Sequence, residues 1–186
     1  MANRASMSDR ERLIHAIDFA CRAHGAQVRK HTGQPYLTHC LQVARLVETA
    51  CPHAPAYMLQ AAILHDVVED TKIGIDEIAG EFGSHVADIV LTLTDPPKEA
   101  GNRAYRKQIV RDKLRGGSSE AKTIKCADIL DNMPSIEEYD PDFFKVFVEE
   151  AALLIPILED GAQPILWRML KNFIAGAQER IAKAAA

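Results

Sequence analysis

The chain has 186 residues, of which 47% are hydrophobic and 26% are charged, values typical of one globular domain and unlike those of disordered or fibrous proteins. Its net charge of -4 and its pI near 6.0 argue against a protein that binds nucleic acid through diffuse positive potential. Neither a signal peptide nor a bilayer-spanning apolar run is recognisable. We therefore expect a single cytoplasmic domain over residues 1–186, with no nucleic-acid partner and no membrane contact.

The predicted elements are all helices. Ser8 has the spacing of a capping box and precedes a helix that runs to about His24. The glycines, prolines and cations between Gly25 and Leu37 then predict a loop. No strand-like alternation competes with the helical pattern, so we predict an all-α fold of roughly eight to ten helices. The later helices are predicted from Thr38 to the CPHAP break, from Tyr57 to about Thr71, and at 75–82, 84–93, 103–114, 120–133, 141–158 and 164–184.

The four cysteines are Cys21, Cys40, Cys51 and Cys126. They show neither CxxC nor CxxH spacing, which argues against a zinc knuckle or a redox pair. We interpret most of them as small core residues.

The segment HDVVED ends the third predicted helix and carries the strongest chemical signal. In a continuous helix His65 lies beside Glu69, and Asp66 lies beside Asp70. The preceding QAAIL is apolar enough to be buried, and burial of an imidazole and three carboxylates without compensation costs much free energy. A bound cation would compensate for it. The alternative is an acidic end of a surface helix, although the helix dipole does not stabilise acids at that end.

A divalent metal needs more ligands than His65 and Asp66 supply. His39 begins the helix after the cationic loop, and Asp128 lies in the helical segment IKCADILDN. Taken singly, His39 could be a core histidine and Asp128 a capped or salt-bridged residue. Together they complete the order H…HD…D, in which two imidazoles and two carboxylates neutralise a divalent ion and leave positions open for water and substrate.

This order is similar to that of the HD-domain metal phosphohydrolases. The segment RKHTGQPYLTHCLQVA resembles the hallmark loop of the RelA/SpoT family hydrolase domain, and LHDVVEDT, FGSHVADIVLTLTD and KTIKCADILDNM follow in the family's order. The resemblance covers about residues 11–135. It implies an HD-domain helical bundle that degrades the stringent-response alarmones ppGpp and pppGpp to GDP or GTP and pyrophosphate. The chain length leaves no room for the additional domains of the long enzymes, so we expect a small stand-alone hydrolase.

The resemblance also implies roles for individual residues. Glu69 and Asp70 match the family's catalytic acidic pair, and the sequence does not distinguish which of them is the base. Asp70 could instead cap the helix or pair with Lys72. The implied cofactor is one Mn²⁺, whose ligands would be His39, His65, Asp66 and Asp128.

Contacts to the guanine nucleotide are implied in three segments. The cationic loop offers phosphate contacts, the segment after TLTD offers contacts to the 5′-phosphates, and ADILDN offers an amide one turn after the last metal ligand. The tyrosine of the loop could pack against the base or ribose, or could anchor the core. The implied contacts are Arg29, Lys30, Thr32, Tyr36, Lys98, Arg106 and Asn132.

Two residues depart from the family pattern. Cys40 replaces the proline that commonly follows the first histidine, and Ile129 replaces a basic residue after the last aspartate. The second change could alter the electrostatics around the metal and the substrate preference. Two further functions stay open: hydrolysis of another 2′- or 3′-phosphorylated nucleotide such as NADPH, and alarmone binding without turnover. The sequence does not indicate an oligomeric state.

Overall fold

The computed structural model describes residues 7–184, which fold into a helical bundle. The all-α fold class is confirmed, and the β-type pairing recorded in these residues is one antiparallel bridge between Val28 and Pro35. The predicted domain of residues 1–186 extends beyond the described residues at both ends and stays a prediction. The helices are α1 Asp9–His24, α2 Leu37–Ala50, α3 Ala56–Leu64, α4 Val67–Asp70, α5 Ile75–Phe82, α6 Ser84–Leu93, α7 Arg103–Gly116, α8 Ser119–Tyr139, α9 Pro141–Ala152, α10 Ile155–Glu159 and α11 Pro164–Ala184.

Helix α3 lies at the centre of the bundle. Residues 58–64 are all buried, as expected for a helix that is apolar on every side. It packs against α1, α2 and α6, while α8 packs against α2, α9 and α11. Among residues 7–184, no helix is both long and apolar enough to cross a membrane. The packing brings the start of α2, the end of α3 and the middle of α8 together.

The predicted helix to about Thr71 is wrong as a single element, because it is interrupted at His65 and Asp66 between α3 and α4. The His65 imidazole Nδ1 donates a hydrogen bond to the carbonyl oxygen of Ala62 at 2.9 Å. That carbonyl would bond the Asp66 amide in a continuous α-helix. His65 and Asp66 both keep right-handed backbone angles, so the chain changes direction little between α3 and α4.

Proline explains two further differences from the predicted helices. The predicted helix 141–158 is divided into α9 and α10, because Pro156 has no N–H and its ring clashes with the carbonyl of residue 152, where α9 ends. Helix α8 instead continues through Pro134 to Tyr139, although we predicted its end at Met133. Pro134 is exposed, so water can bond the carbonyl of residue 130, which has no N–H donor at Pro134. Met133 and Ile136 are buried, and their packing in the core holds the helix together.

Candidate metal centre and adjoining cavity

Two histidines and two aspartates from distant parts of the sequence converge at one point. His39 lies in the first turn of α2, His65 and Asp66 lie between α3 and α4, and Asp128 lies in α8. The Asp66 Oδ2 atom is 3.4 Å from His39 Nε2 and 3.2 Å from His65 Nε2. The Asp128 Oδ1 atom is 3.4 Å and 3.8 Å from the same nitrogens. Both histidines are almost fully buried, with 1% and 2% of their surface exposed.

Both imidazoles have their Nε2 atom free to bind a metal. His65 Nδ1 must carry a proton because its partner, the Ala62 carbonyl, can only accept. His39 Nδ1 is 2.7 Å from Asp131 Oδ2. The buried Nε2 atoms of His39 and His65 have no hydrogen-bond partner, and ligand atoms of these two residues and Asp128 lie within 4.8 Å of one another. This donor set fits a divalent cation.

The carboxylates hold the two imidazoles in their charged forms when no cation is bound. Burial lowers the pKa of His39, but the adjacent Asp128 carboxylate, the hydrogen bond with Asp131 and the charge of Asp66 outweigh burial and raise the pKa to about 11. Burial also lowers the pKa of His65, but the nearby negative charges of Asp66 and Asp128 outweigh burial and raise the pKa to about 9. A cation that binds here must therefore displace protons.

Three neighbouring side chains orient the aspartates. Lys125 Nζ donates to Asp128 Oδ2 at 2.7 Å, and Asn132 Nδ2 donates to Asp128 Oδ1 at 2.8 Å. The Tyr36 hydroxyl donates to Asp66 Oδ2 at 2.6 Å. Burial and the charge of Asp66 raise the pKa of the Tyr36 hydroxyl, so it remains a donor. Such contacts fix the geometry of metal ligands.

Glu69 and Asp70 face different surroundings. Glu69 lines the cavity beside the aspartates, and its Oε2 accepts a hydrogen bond from the Asp95 amide at 2.8 Å. Although Glu69 is exposed to the solvent of the cavity, the surrounding protein displaces enough water to raise its pKa to about 7, and the charges of Asp95 and Asp66 add to this effect. Asp70 accepts from Gln27 Nε2 at 2.9 Å and lines a separate surface pocket. The catalytic roles of both residues stay predictions.

The cavity beside the aspartates combines acidic, basic and apolar walls. Lys107 and Arg111 of α7 and Lys125 of α8 supply its cations, and Lys107 Nζ is 2.6 Å from Asp95 Oδ2. The Arg111 guanidinium donates to the Gln108 side-chain oxygen. The apolar walls suit a base or ribose, and their residues are Val110, Ile129, Phe147, Ala151 and Leu154.

Of the four predicted nucleotide contacts in the cationic loop, Arg29, Lys30 and Tyr36 line a pocket. Tyr36 lines both the cavity and a smaller neighbouring pocket, to which Arg29 and Lys30 belong. Arg29 Nη1 lies 2.6 Å from Asp131 Oδ2, so this guanidinium is already paired. Lys30 pairs with Asp140 at 3.0 Å, and Thr32 is exposed.

The other predicted contacts lie on α8 and near α7. Asn132 lines both the cavity and the neighbouring pocket. Lys98 is exposed before α7, and Arg106 has a buried Nε without a partner. Neither of these two cations is among the residues that line the cavity.

Comparison with known proteins places these residues in a family. A family model described as an HD domain matches residues 16–152. The chain is 35% identical to human MESH1, a guanosine-3′,5′-bis(diphosphate) 3′-pyrophosphohydrolase, over 73% of this chain and 75% of that protein. The chain belongs to the HD-domain family. A pyrophosphohydrolase of the same name from Aquifex aeolicus (strain VF5) is 36% identical to this HD domain over 68% of the chain and 18% of the longer protein. The predicted resemblance is confirmed.

Two solved structures resemble this chain in fold. A metazoan ortholog of SpoT, described as hydrolysing ppGpp, superposes with a TM-score of 0.79 at 25% identity, over 89% of this chain and 94% of that one. A protein of Listeria monocytogenes EGD-e superposes with a TM-score of 0.63 at 27% identity, over 78% and 98% of the two chains. The fold is therefore shared with these two structures over most of this chain.

Sequence reasoning missed several charged residues at the centre of this HD domain. Lys107 and Arg111 lie four residues apart on one face of α7 and line the cavity, so helical spacing could have found them as a pair. Lys125 and Asp131 lie three residues before and after Asp128 on α8, spacing that places all three near one face. The spacing of these charged residues is visible in the sequence, but only the structure shows which faces of α7 and α8 meet the cavity.

Proposed function

We propose that this HD-domain protein is a metal-dependent (p)ppGpp 3′-pyrophosphohydrolase, which converts ppGpp to GDP and pppGpp to GTP with release of pyrophosphate. The convergence of His39, His65, Asp66 and Asp128 on one point carries the proposal. Its second support is the 35% identity to human MESH1 across most of both chains.

The proposed cofactor is Mn²⁺, held by the Nε2 atoms of His39 and His65 and by carboxylate oxygens of Asp66 and Asp128. Two neutral imidazoles and two carboxylates balance a divalent charge, and nitrogen with oxygen donors suits Mn²⁺. When bound, the ion would lower the pKa of water and polarise a phosphoryl oxygen. Tyr36 and Lys125 keep the two carboxylates in place for this purpose.

Glu69 is the proposed proton acceptor. Its pKa of about 7 leaves a substantial ionised fraction at neutral pH and makes it basic enough to accept a proton from attacking water. The water oxygen bonds to the 3′-linked phosphorus, the bond between that phosphorus and O3′ breaks, and O3′ is protonated. The new oxygen leaves in pyrophosphate. Asp70 remains the alternative base, since it belongs to the same acidic pair.

Metal binding is expected to release protons. At pH 7 both His39, with a pKa of about 11, and His65, with a pKa of about 9, are protonated, and the metal requires neutral imidazoles. The apparent Mn²⁺ affinity should therefore rise with pH up to about 11, and most steeply below about 9, where both imidazoles must lose a proton. Calorimetric titration in two buffers of different ionisation enthalpy measures the protons released, and identical heats in both buffers would contradict the expected exchange.

Arg111 and Lys107 are the proposed cations for the polyphosphate, because they line the cavity of a protein whose net charge is negative. Arg111 is the freer of the two, since Lys107 is paired with Asp95 while Arg111 contacts a neutral amide. The apolar wall near Phe147 is the proposed contact for the base.

Replacing Arg111 with alanine is expected to raise KM for ppGpp by roughly 10–100-fold, the effect of one lost hydrogen bond to a charged group, with little change in kcat. Steady-state kinetics at saturating Mn²⁺ measure both constants. Arg115→Ala is the matched control, because Arg115 lies on the same helix and pairs with Asp112 at the surface. Equal KM values for the two variants would remove Arg111 from the substrate site.

A substrate panel tests the proposed function against the alternatives. The Mn²⁺-loaded protein is incubated separately and in competition with ppGpp, pppGpp and NADPH. We expect pyrophosphate from the two guanine nucleotides. Preferential release of orthophosphate from NADPH would favour the other nucleotide-hydrolase function. The cytoplasmic location and the absence of nucleic-acid and membrane partners stay predictions.

A further inference from the structure

Arg29 is half-buried at the junction between the cationic loop and α8. Its side chain is 13% exposed and that of Asp131 is 14% exposed. The loop is closed by hydrogen bonds from the Arg29 amide to the Gln34 carbonyl at 2.8 Å and from the Gly33 amide to the Arg29 carbonyl at 3.0 Å. Gly33 has a φ of +67°, a conformation that favours glycine. This tight turn places the Arg29 guanidinium against α8.

The Arg29 guanidinium reaches two candidate metal ligands through one intermediary each. In the first path Nη1 donates to Asp131 Oδ2 at 2.6 Å, and the same oxygen accepts from His39 Nδ1 at 2.7 Å. In the second path Nη2 donates to Asn132 Oδ1 at 3.1 Å, and Asn132 Nδ2 donates to Asp128 Oδ1 at 2.8 Å. Ligands from two different helices are therefore connected to one cation.

We infer that Arg29 and Asp131 are positioning residues of the metal centre. Asp131 fixes the tautomer and the ring orientation of His39, and Arg29 holds Asp131 and Asn132 in the orientation that this requires. The inference rests on the proposed metal site, and it assigns Arg29 a different role from the phosphate contact implied by the family resemblance.

Charge balance explains why Asp131 needs a cation. A carboxylate against the Nδ1 atom of a ligating histidine raises the basicity of that ligand, but a largely buried carboxylate is costly unless it is paired. The bond from Arg29 Nη1 to Asp131 at 2.6 Å supplies the pairing.

Hydrogen-bond geometry also determines the amide orientation of Asn132. Its oxygen must face the donors of Arg29, so its nitrogen must face the Asp128 carboxylate, where it can only donate. A change at Arg29 is therefore expected to disturb both His39 and Asp128, although Arg29 itself contacts neither.

Mn²⁺ affinity, measured by electron paramagnetic resonance of the free ion, tests this inference without reference to turnover. The variants are Arg29→Gln, Asp131→Ala and Asp131→Asn. We expect the dissociation constant for Mn²⁺ to rise by about 10–100-fold in Asp131→Ala and by about tenfold in Arg29→Gln, as for other residues that orient metal ligands. Asp131→Asn should recover part of the loss, because its amide oxygen can still accept from His39 Nδ1. Arg22→Gln on α1, which breaks an exposed ion pair with Asp18, is the control.

Kinetics on the same variants separate the two roles of Arg29. An Arg29→Gln protein with unchanged Mn²⁺ affinity and a raised KM for ppGpp would overturn the inference in favour of direct substrate contact, and so would a wild-type protein that binds no Mn²⁺. Circular dichroism identifies any variant that fails to fold, and Asp131→Asn and Arg29→Gln keep the test available if Asp131→Ala does. Altered Mn²⁺ affinity together with a wild-type protein that does not hydrolyse ppGpp would remove the proposed function and leave this inference standing.

Discussion

Replacing Asp66 with alanine is expected to lower kcat/KM for ppGpp by about 10³-fold or more, because the ion's stabilisation of transition-state charge is worth several kcal/mol. Asp66 Oδ2 lies within 3.4 Å of both free imidazole nitrogens, so its removal takes away one of the two negative charges that balance a divalent ion. Mn²⁺ affinity should fall in parallel. Steady-state hydrolysis and metal titration on the same protein measure both effects.

The choice of controls matters because Asp66 also accepts a hydrogen bond from Tyr36. Asp66→Asn keeps an oxygen for that hydroxyl and removes only the charge, so it should lose activity while retaining the wild-type melting temperature more closely than Asp66→Ala. Asp88→Ala, at an exposed position of α6, should retain full activity. Wild-type turnover by both Asp66 variants would remove Asp66 from the metal centre.

Replacing Glu69 with glutamine is expected to lower kcat by about 10²–10⁴-fold, the usual contribution of a general base, while Mn²⁺ affinity stays near that of the wild type. The pH profile supplies a second signature. The raised pKa of about 7 means that the carboxyl group is protonated below this pH and cannot accept a proton, so wild-type activity should fall as pH decreases through this region. A bound cation nearby lowers the pKa, which moves the acidic limb to about pH 7 or below.

Asp70→Asn is the matched comparison for Glu69→Gln, because the two residues are neighbours in the same acidic pair. Asp70 is bonded to Gln27 and lines another pocket, so its replacement should cost less in kcat and should leave the acidic limb in place. If Asp70→Asn abolished turnover and the limb persisted in Glu69→Gln, the base would be Asp70.

Apolar periodicity predicted the all-α bundle, which the structure confirms. The burial argument made for HDVVED holds for His65, which is buried, whereas Asp66 is half-buried and Glu69 and Asp70 are exposed. The prediction that His39 and Asp128 complete a metal site with His65 and Asp66 stays a prediction. The structure brings these residues together as the chemistry of a divalent cation requires. The interruption at His65 was missed because it accompanies a local side-chain bond to the Ala62 carbonyl, and such a bond does not alter hydrophobic spacing.

The residues that line the cavity were harder to predict, because they depend on which face of a helix meets the cavity. On α7 the sequence offers several cations in succession, and only packing shows that Lys107 and Arg111 line the cavity while Arg106 does not. The role of a loop cation also depends on the fold, because Arg29 pairs with Asp131, which lies 102 residues later in the sequence. Local sequence patterns do not reveal an ion pair between residues so far apart in the chain.

The most direct test is phosphorus NMR of the products formed from ppGpp by wild-type protein whose Mn²⁺ content has been measured. We predict GDP and pyrophosphate in equal amounts, no product after the metal is removed by chelation, and recovery of activity when Mn²⁺ is restored. Tight binding of ppGpp at full metal occupancy without any product would contradict the proposed activity and would indicate a protein that binds the alarmone without hydrolysing it.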